Sequence, residues 1–423
     1  MSVEQTRAVF QKAMRSFGLP DGGKIAVAVS GGADSTALCG LTREYTRQNG
    51  GEMLALVVDH GLRAVSREQA LTTVNRLQSR GVECRLLTWT GEKPATGVER
   101  AAREARYGLL ADACRAAGAK SLLLGHHRQD QAETYLIRLE RHSKSAGLAG
   151  MSAVRQTGYG RILRPLLGIA PADLREYNRR EGLDWVEDET NLSDDFARGR
   201  LRRVLTAAEI DTAFEQTLRY GALRRAQEEK AARFINARVE RNEKGYLLFS
   251  RDAFAETDAE TGVFLLGDFL RFVGNGIYAP RTDSLESLNG RLLRSPDFRG
   301  ASLGGCLIAP ASEGRVIVWR EERDLPPPAI AAAGATRFSW DRFTFDFDAP
   351  LDFPVTAAPL GHRLRIGNVF GKRAFSVLPA IFDNQGLFIV PHLGYKRTNA
   401  TCRVAFTPRN SLCETAQWTC PVT

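Results

Sequence analysis

Apolar residues recur in two rhythms along the first 125 positions. Short aliphatic and β-branched runs, Lys24 to Val29, Met53 to Asp59, Glu83 to Trp89 and Ser121 to Leu124, read as strands, and the stretches between them carry helical periodicity. Their starts lie roughly thirty to forty residues apart, which suits strand-helix-strand units and predicts an α/β fold with a doubly wound parallel sheet. Ahead of them, Val3, Thr6, Val9, Phe10, Ala13, Met14 and Phe17 share one helical face, closed by Gly18 and Pro20. Ligands of such sheets sit beyond the carboxyl ends of the strands. The unusual residues fall there: Ser30 to Ser35, Asp59 to Arg63 and Gly125 to Asp130. One site is expected to gather all three loops.

After Arg203 helical periodicity runs to about Asn242, and strands are expected at Gly245 to Phe249, Gly305 to Ile308 and Val316 to Trp319. Leu325 to Ala333 holds three consecutive prolines and then mostly alanine, which favours an extended linker. Beyond about Phe338 the chain is strand-like, with Leu364 to Ile366, Phe375 to Leu378 and Leu387 to Val390 as strands. The expected domains are residues 1–203, a mostly helical mixed domain over 204–324, a linker over 325–337 and a small β-rich domain over 338–423.

With 423 residues, 43% hydrophobic and 25% charged, the chain can bury more than one core and shows no sign of long disorder. The longest apolar runs, such as Leu54 to Val58, fall far short of the roughly 20 residues that span a bilayer. The N-terminus is too polar for a secretory signal. Cys39, Cys84, Cys114, Cys306, Cys402, Cys413 and Cys420 form no CxxC pair, which argues against a zinc ribbon, a cluster or a disulfide scaffold and favours a cytoplasmic setting. The net charge of +9 is compatible with a polyanionic partner and equally with an ordinary basic protein. Nothing in the sequence sets the oligomeric state, a homodimer included.

The strongest local signal is the strand Val27-Ala28-Val29 running into Ser30-Gly31-Gly32-Ala33-Asp34-Ser35 at the start of a helix. Glycines let the backbone turn sharply and approach an anion, and the free amides at a helix start favour phosphate. Ser30 and Ser35 can donate to phosphate oxygens, and Asp34 can hold a magnesium ion shared with a nucleotide. An ordinary strand-helix turn capped by Asp and Ser has a similar composition. Neither GxxxxGK[ST] nor GxGxxG fits.

Ser-Gly-Gly-Ala-Asp-Ser resembles the SGGxDS loop of the N-type ATP pyrophosphatases, which cleave ATP between its α and β phosphates to adenylate a substrate. Further motifs resemble one of their families, the tRNA(Ile)-lysidine synthases: Val58-Asp59-His60-Gly61-Leu62-Arg63, the helix with Glu99, Arg103, Arg106 and Tyr107, and Gly125-His126-His127-Arg128-Gln129-Asp130-Gln131-Ala132-Glu133-Thr134. Arg138-Leu139, Gly147-Leu148-Ala149-Gly150-Met151 and Trp185, Glu187, Asp188, Thr190, Asn191, Arg198, Arg200 and Arg203 extend the likeness, strong over residues 20–203 and weak beyond the linker. The resemblance implies a PP-loop (adenine nucleotide α-hydrolase-like) catalytic domain using ATP and Mg2+. It implies adenylation of the wobble cytidine of tRNA(Ile) with a CAU anticodon, then attack by the ε-amine of L-lysine. It implies that Ser30, Gly31, Gly32, Ala33, Asp34, Ser35, Asp59 and Arg63 bind the nucleotide, with Asp34 also on the metal, and that Arg106, Asp130 and Glu133 join Asp34 in catalysis.

The residue types suit those roles. Asp130 and Glu133, three apart on a helix, present two carboxylates to one pocket and can bind or deprotonate a lysine ammonium, though a capping Asp and a solvated Glu look alike in sequence. Free lysine titrates near roughly 10.4, so a nearby base has work to do. Arg106 fits a clamp on phosphate or on the activated base, or a solvated helix arginine. His126 and His127 lack further metal ligands at suitable spacing, which leaves structural or nucleotide-contacting roles. Arg175, Arg179, Arg180 and the run Arg198 to Arg203 suit an RNA backbone or a solvated face; Tyr177 and Trp185 suit an unpaired base or a core. Lys372, Arg373, Lys396 and Arg397 are the tRNA-contact candidates of the last domain.

Gln129 stands where the family has Asp, and His142 and Lys144 replace glycines of a turn, which points to a weaker negative field and a different loop path. Two other readings compete with this one. A tRNA thiolating enzyme that uses a cluster or persulfide would need cysteines near the loop, often as a CxxC pair, and no such pair is present. A non-catalytic tRNA-binding relative would fail to exchange ATP with pyrophosphate.

Overall fold

The computed structural model describes the chain except residues 21, 63, 91–92, 94–95, 144, 158, 188–196, 277, 296, 362–374 and 414–423. Arg63, Lys144, Asp188, Thr190, Asn191, Lys372, Arg373, Cys420 and the expected strand Leu364 to Ile366 lie outside the described residues, as do the side chains of Glu99 and Arg198. Two compact units emerge, Met1–Ala226 and Gln227–Thr415.

The first unit runs α1 (Val3–Ser16), β1 (Lys24–Ala28), α2 (Ala33–Gln48), β2 (Glu52–Asp59), α3 (Ala64–Ser79), β3 (Cys84–Thr88), α4 (Val98–Ala117), β4 (Ser121–Leu123) and α5 (Arg128–Glu140). It continues through α6 (Ser145–Leu148), β5 (Val154–Thr157), β6 (Gly160–Leu163), α7 (Pro171–Arg180), α8 (Ala197–Val204) and α9 (Ala207–Arg238). Its sheet has the order β3-β2-β1-β4-β6-β5, parallel throughout except for the edge strand β5.

Alternation along β1 explains how the sheet is covered. Ile25, Val27 and Val29 point into one core, with Phe10 and Met14 of α1, Leu38 and Leu41 of α2 and Leu174 of α7. Ala26 and Ala28 point into the other, with Leu110 and Cys114 of α4. A strand covered on both faces needs a continuous apolar run, which is what Ile25 to Val29 supplies. The expected amphipathic helix is α1, with Ser2 and Gln5 in a capping box and Phe10 and Met14 on its buried face.

The four expected strands are present within a residue or two at each end. The β5–β6 hairpin, which joins β4 in parallel through β6, has no counterpart in the sequence reading. The division between units comes after Ala226, inside the span of α9, later than residue 203, where the change to helical periodicity places it.

The second unit holds β7 (Val239–Arg241), β8 (Leu247–Ser250), α10 (Arg251–Ala255), α11 (Ala259–Gly274), α12 (Thr282–Arg294), β9 (Ala301–Leu303), β10 (Cys306–Pro310) and β11 (Arg315–Arg320). These strands form one sheet in the order β7-β8-β11-β10-β9. Next come β12 (Ala329–Ala331), β13 (Arg337–Trp340), β14 (Phe343–Phe347), β15 (Val355–Pro359), β16 (Pro379–Asp383), β17 (Gly386–Val390), β18 (Tyr395–Lys396) and β19 (Cys402–Phe406). They build a five-stranded sheet, β12-β15-β16-β17-β18, and a three-stranded one, β13-β14-β19.

The proline-rich stretch expected as a linker is a packed edge. Ala331 pairs with Val355 and is buried, and the Pro327 carbonyl accepts a hydrogen bond of 3.1 Å from Trp340 Nε1. At a sheet edge a proline forfeits no ladder hydrogen bond, so proline and pairing are compatible there. The strand expected over Phe375 to Leu378 comes slightly later, as β16.

Candidate active site

The sheet order reverses its direction of growth at β1, so the carboxyl ends of β1 and β4 open a crevice between them. Val27 stands opposite Leu123, which brings the loops after both strands together. A Cβ on Gly125 would lie 3.3 Å from Ser35 N and Ser35 Cα, so the second loop rests directly on the first.

The loop after β1 is tightly braced. Gly31 has φ of 89°, a conformation side chains rarely adopt, and a Cβ there would lie 2.4 Å from Thr73 Oγ1 of α3. Val186 N–H donates to the Gly31 carbonyl at 2.8 Å, and the buried Asn178 donates to the Ala33 carbonyl at 2.8 Å. Ser35 Oγ accepts from Ser30 N–H and donates to the Gly32 carbonyl, so this hydroxyl braces the loop. Thr36 N makes the first helical bond, to Gly32. The helix geometry thereby leaves the amides of its first residues to an outside acceptor, at its positive end.

The loop after β4 ends in an unusual cap. His127 is the N-cap of α5: its N–H donates to Asp130 Oδ2 at 3.0 Å, and its Nδ1 accepts from Asp130 N–H at 3.4 Å. The other ring nitrogen, Nε2, is 3.4 Å from Asp34 Oδ2. Burial alone would lower the His127 pKa, but the Asp130 charge and the hydrogen bond with Asp34 outweigh it and raise it above the ordinary histidine value. Burial likewise opposes ionisation of Asp130, yet His127, His126 and Arg202 hold its carboxyl below the usual range.

One turn on, Glu133 has a fully buried side chain. Arg202 of α8 binds both carboxylates, with Nε donating to Glu133 Oε1 at 2.8 Å and Nη2 to Asp130 Oδ1 at 3.0 Å. Asp34, His127, Asp130, Arg202 and Glu133 thus form a continuous chain of polar and charged groups from the glycine loop into the crevice. Arg202 was legible only as one of a run of arginines, and the bridging position of His127 had no sequence signal beyond its place in the motif.

Asp59, at the end of β2, is buried, with Oδ1 accepting from Gly61 N–H at 2.9 Å and Oδ2 3.6 Å from Arg67. His60 beside it is held below its ordinary pKa by burial and by the charge of Arg106. The Arg106 pKa is itself lowered by burial.

The GLAGM segment has a structural explanation. Gln131 of α5 donates to the Met151 carbonyl at 2.8 Å and accepts from Met151 N–H at 2.6 Å, while Arg138 Nη1 donates to the carbonyls of Gly147 and Gly150. His142 keeps a left-handed backbone, φ 52°, so at this residue the glycine conformation survives without the glycine. Gln129 is half-buried on α5. Tyr177 is a core residue, its hydroxyl donating to Glu44 at 2.7 Å, and Trp185 bonds Glu187. Arg179 and Arg180 pair with Glu176, and in the second unit Arg397 pairs with Asp383.

Among the described residues no group of three or more His, Cys, Asp and Glu could hold a metal, but Asp34 Oδ1 is buried without a hydrogen-bond partner. A separate cavity of about 160 Å³ flanks the glycine loop on its α3 side, lined in part by Gly31, Arg43, Arg76 and Arg80; it shares no residue with the charged chain. Among the described residues no helix is long and apolar enough to cross a membrane.

A PP-loop domain family model matches residues 3–209. A tRNA(Ile)-lysidine synthase of Mesorhizobium japonicum is 37% identical, the match covering 72% of this chain and 68% of the relative. One from Brucella anthropi is 31% identical over 89% of this chain and 87% of the relative, and one from Hyphomonas neptunium is 36% identical over 74% and 86%.

Proposed function

Because the chain belongs to the tRNA(Ile)-lysidine synthase family, an ATP-using ligase family with a PP-loop domain, we propose that both steps of lysidine formation take place where its glycine loop meets the helix after β4. In the first step a ring carbonyl oxygen of the wobble cytidine, in tRNA(Ile) with a CAU anticodon, attacks the α-phosphorus of ATP and pyrophosphate leaves. In the second the ε-amine of L-lysine attacks the ring carbon bearing that oxygen, AMP leaves and the amine gives up a proton.

Ser30, Gly31, Gly32, Ala33 and Ser35 form the phosphate cradle, with the helix-start amides facing the anion. Asp34 suits a magnesium ion, since its buried Oδ1 lacks a partner and magnesium commonly takes one or two carboxylates with nucleotide phosphates and water. When bound, that ion neutralises phosphate charge. The family resemblance assigns Asp59 and Arg63 to the nucleotide, and Arg106 to charge on phosphate or on the activated base.

Asp130 and Glu133 receive the lysine amine and take its proton. The observation that carries this reading is the pair of buried carboxylates already holding one cation, joined through His127 to the glycine loop. The free thiols of the described cysteines support a reducing, cytoplasmic setting.

The test is incubation of the full chain with ATP, magnesium, labelled lysine and the CAU-anticodon tRNA(Ile), followed by mass analysis of the digested nucleosides. Cytidine plus lysine minus water is the expected product. ATP turnover without lysine transfer would point to another adenylating chemistry.

A further inference from the structure

The amine subsite is already filled by a residue of this chain. Nε and Nη2 of one guanidinium each take one of the two carboxylates, at 2.8 and 3.0 Å. A substrate ammonium directed at the same oxygens meets Arg202 there. We propose that Arg202 is a resident stand-in for the substrate cation, which lysine must displace, so that Arg202 governs how readily lysine enters; this rests on the assignment of Asp130 and Glu133 to the lysine amine.

Three features support an exchange of cations over a permanent structural bridge. Glu133 has no exposed side-chain surface and Asp130 only 9%, so two carboxylates this deeply buried favour keeping a cation against them. Arg202 is 26% exposed and stands on the eight-residue α8, so its long side chain has solvent to move into. Asp130 has no such freedom, because it is locked in the cap of α5 by two hydrogen bonds with His127. The guanidinium also keeps the pair from serving as an amine base until it moves, so departure of Arg202 and arrival of lysine are one event. A site occupied by its own side chain binds its ligand more weakly by the fraction of time it is open.

The test is the lysine KM of the full chain at saturating ATP, magnesium and tRNA, for wild type, Arg202→Gln, Arg202→Lys and Glu133→Gln, with methylguanidinium as a probe. Arg202→Gln should lower the lysine KM about tenfold, as expected when a mostly closed site opens. Arg202→Lys, keeping the charge but not the two-pronged contact, should fall between. Methylguanidinium should compete with lysine in Arg202→Gln and far less in wild type.

A lysine KM unchanged or raised in both Arg202 variants would overturn the proposal, and should Arg202→Gln fail to fold, Arg202→Lys alone decides it. Glu133→Gln separates the two layers. A raised lysine KM there, with none lowered at Arg202, removes only the stand-in; no change on Glu133→Gln removes the amine subsite and the stand-in together.

Discussion

His127 Nε2 lies 3.4 Å from Asp34 Oδ2, joining the cap of α5 to the first turn of α2. Because the same ring also meets Asp130, it screens two carboxylates from each other. Replacing it with alanine leaves the buried Asp130 without its imidazole partner and facing the half-exposed Asp34. His127→Ala should lower kcat/KM by about a hundredfold, the scale of losing a buried charged partner. ATP–pyrophosphate exchange checks this, and activity near wild type would show that the bridge is dispensable.

Gly31 is constrained twice, by its φ of 89° and by Thr73 Oγ1 at 2.4 Å from any added Cβ. Gly31→Ala should weaken ATP binding by about 1–3 kcal/mol, the usual scale of a disfavoured backbone conformation. The double variant with Thr73→Ala removes only the clash. Calorimetric ATP affinity should therefore recover in part; full recovery would mean that the backbone conformation carries no penalty.

Gln131 both donates to and accepts from the backbone of Met151. A carboxylate can do only one of these. Gln131→Glu should destabilise the first unit by about 1–3 kcal/mol through the unmet carbonyl and the repulsion it adds. Urea midpoints measure it, and an unshifted midpoint would show that water replaces the lost bond.

In the second unit His392 donates from Nε2 to the Glu243 carbonyl, packs edge-on against Phe343, and has a buried Nδ1 without a hydrogen-bond partner. A second proton would have no acceptor, and burial holds its pKa below the ordinary 6.5. Below pH 6.5 the unfolded chain therefore takes up a proton that the folded chain refuses. The contribution of His392 is present above that pH and is lost as pH falls toward the depressed folded value. Denaturant titrations of wild type should show this decline, and His392→Gln should flatten it; parallel curves would sink the assignment.

Sequence periodicity was enough for the parallel sheet, because strands covered on both faces need continuous apolar runs such as Ile25 to Val29. The loops carrying the charged chain were legible for the same reason, since they follow β1 and β4. Partnership was not. Whether Asp130 faces solvent, His127 or an arginine from α8 depends on which helices return to the crevice, and Arg202 looks like its neighbours Arg200 and Arg203 in sequence. Edge pairing was hidden too, because Pro327 and Ala331 read as extended chain whether or not a neighbour accepts them.

The pairing of β1 with β4 also fixes when the site can exist. A chain emerging in order presents the complete glycine loop long before it presents His127, Asp130 or Glu133, and β4 must cross β2 and β3 in sequence to reach its neighbour. Closing so long a loop is among the slower events in folding. The cradle is therefore written early and finished late: a growing chain that has made the loop still lacks the wall on which Ser35 rests.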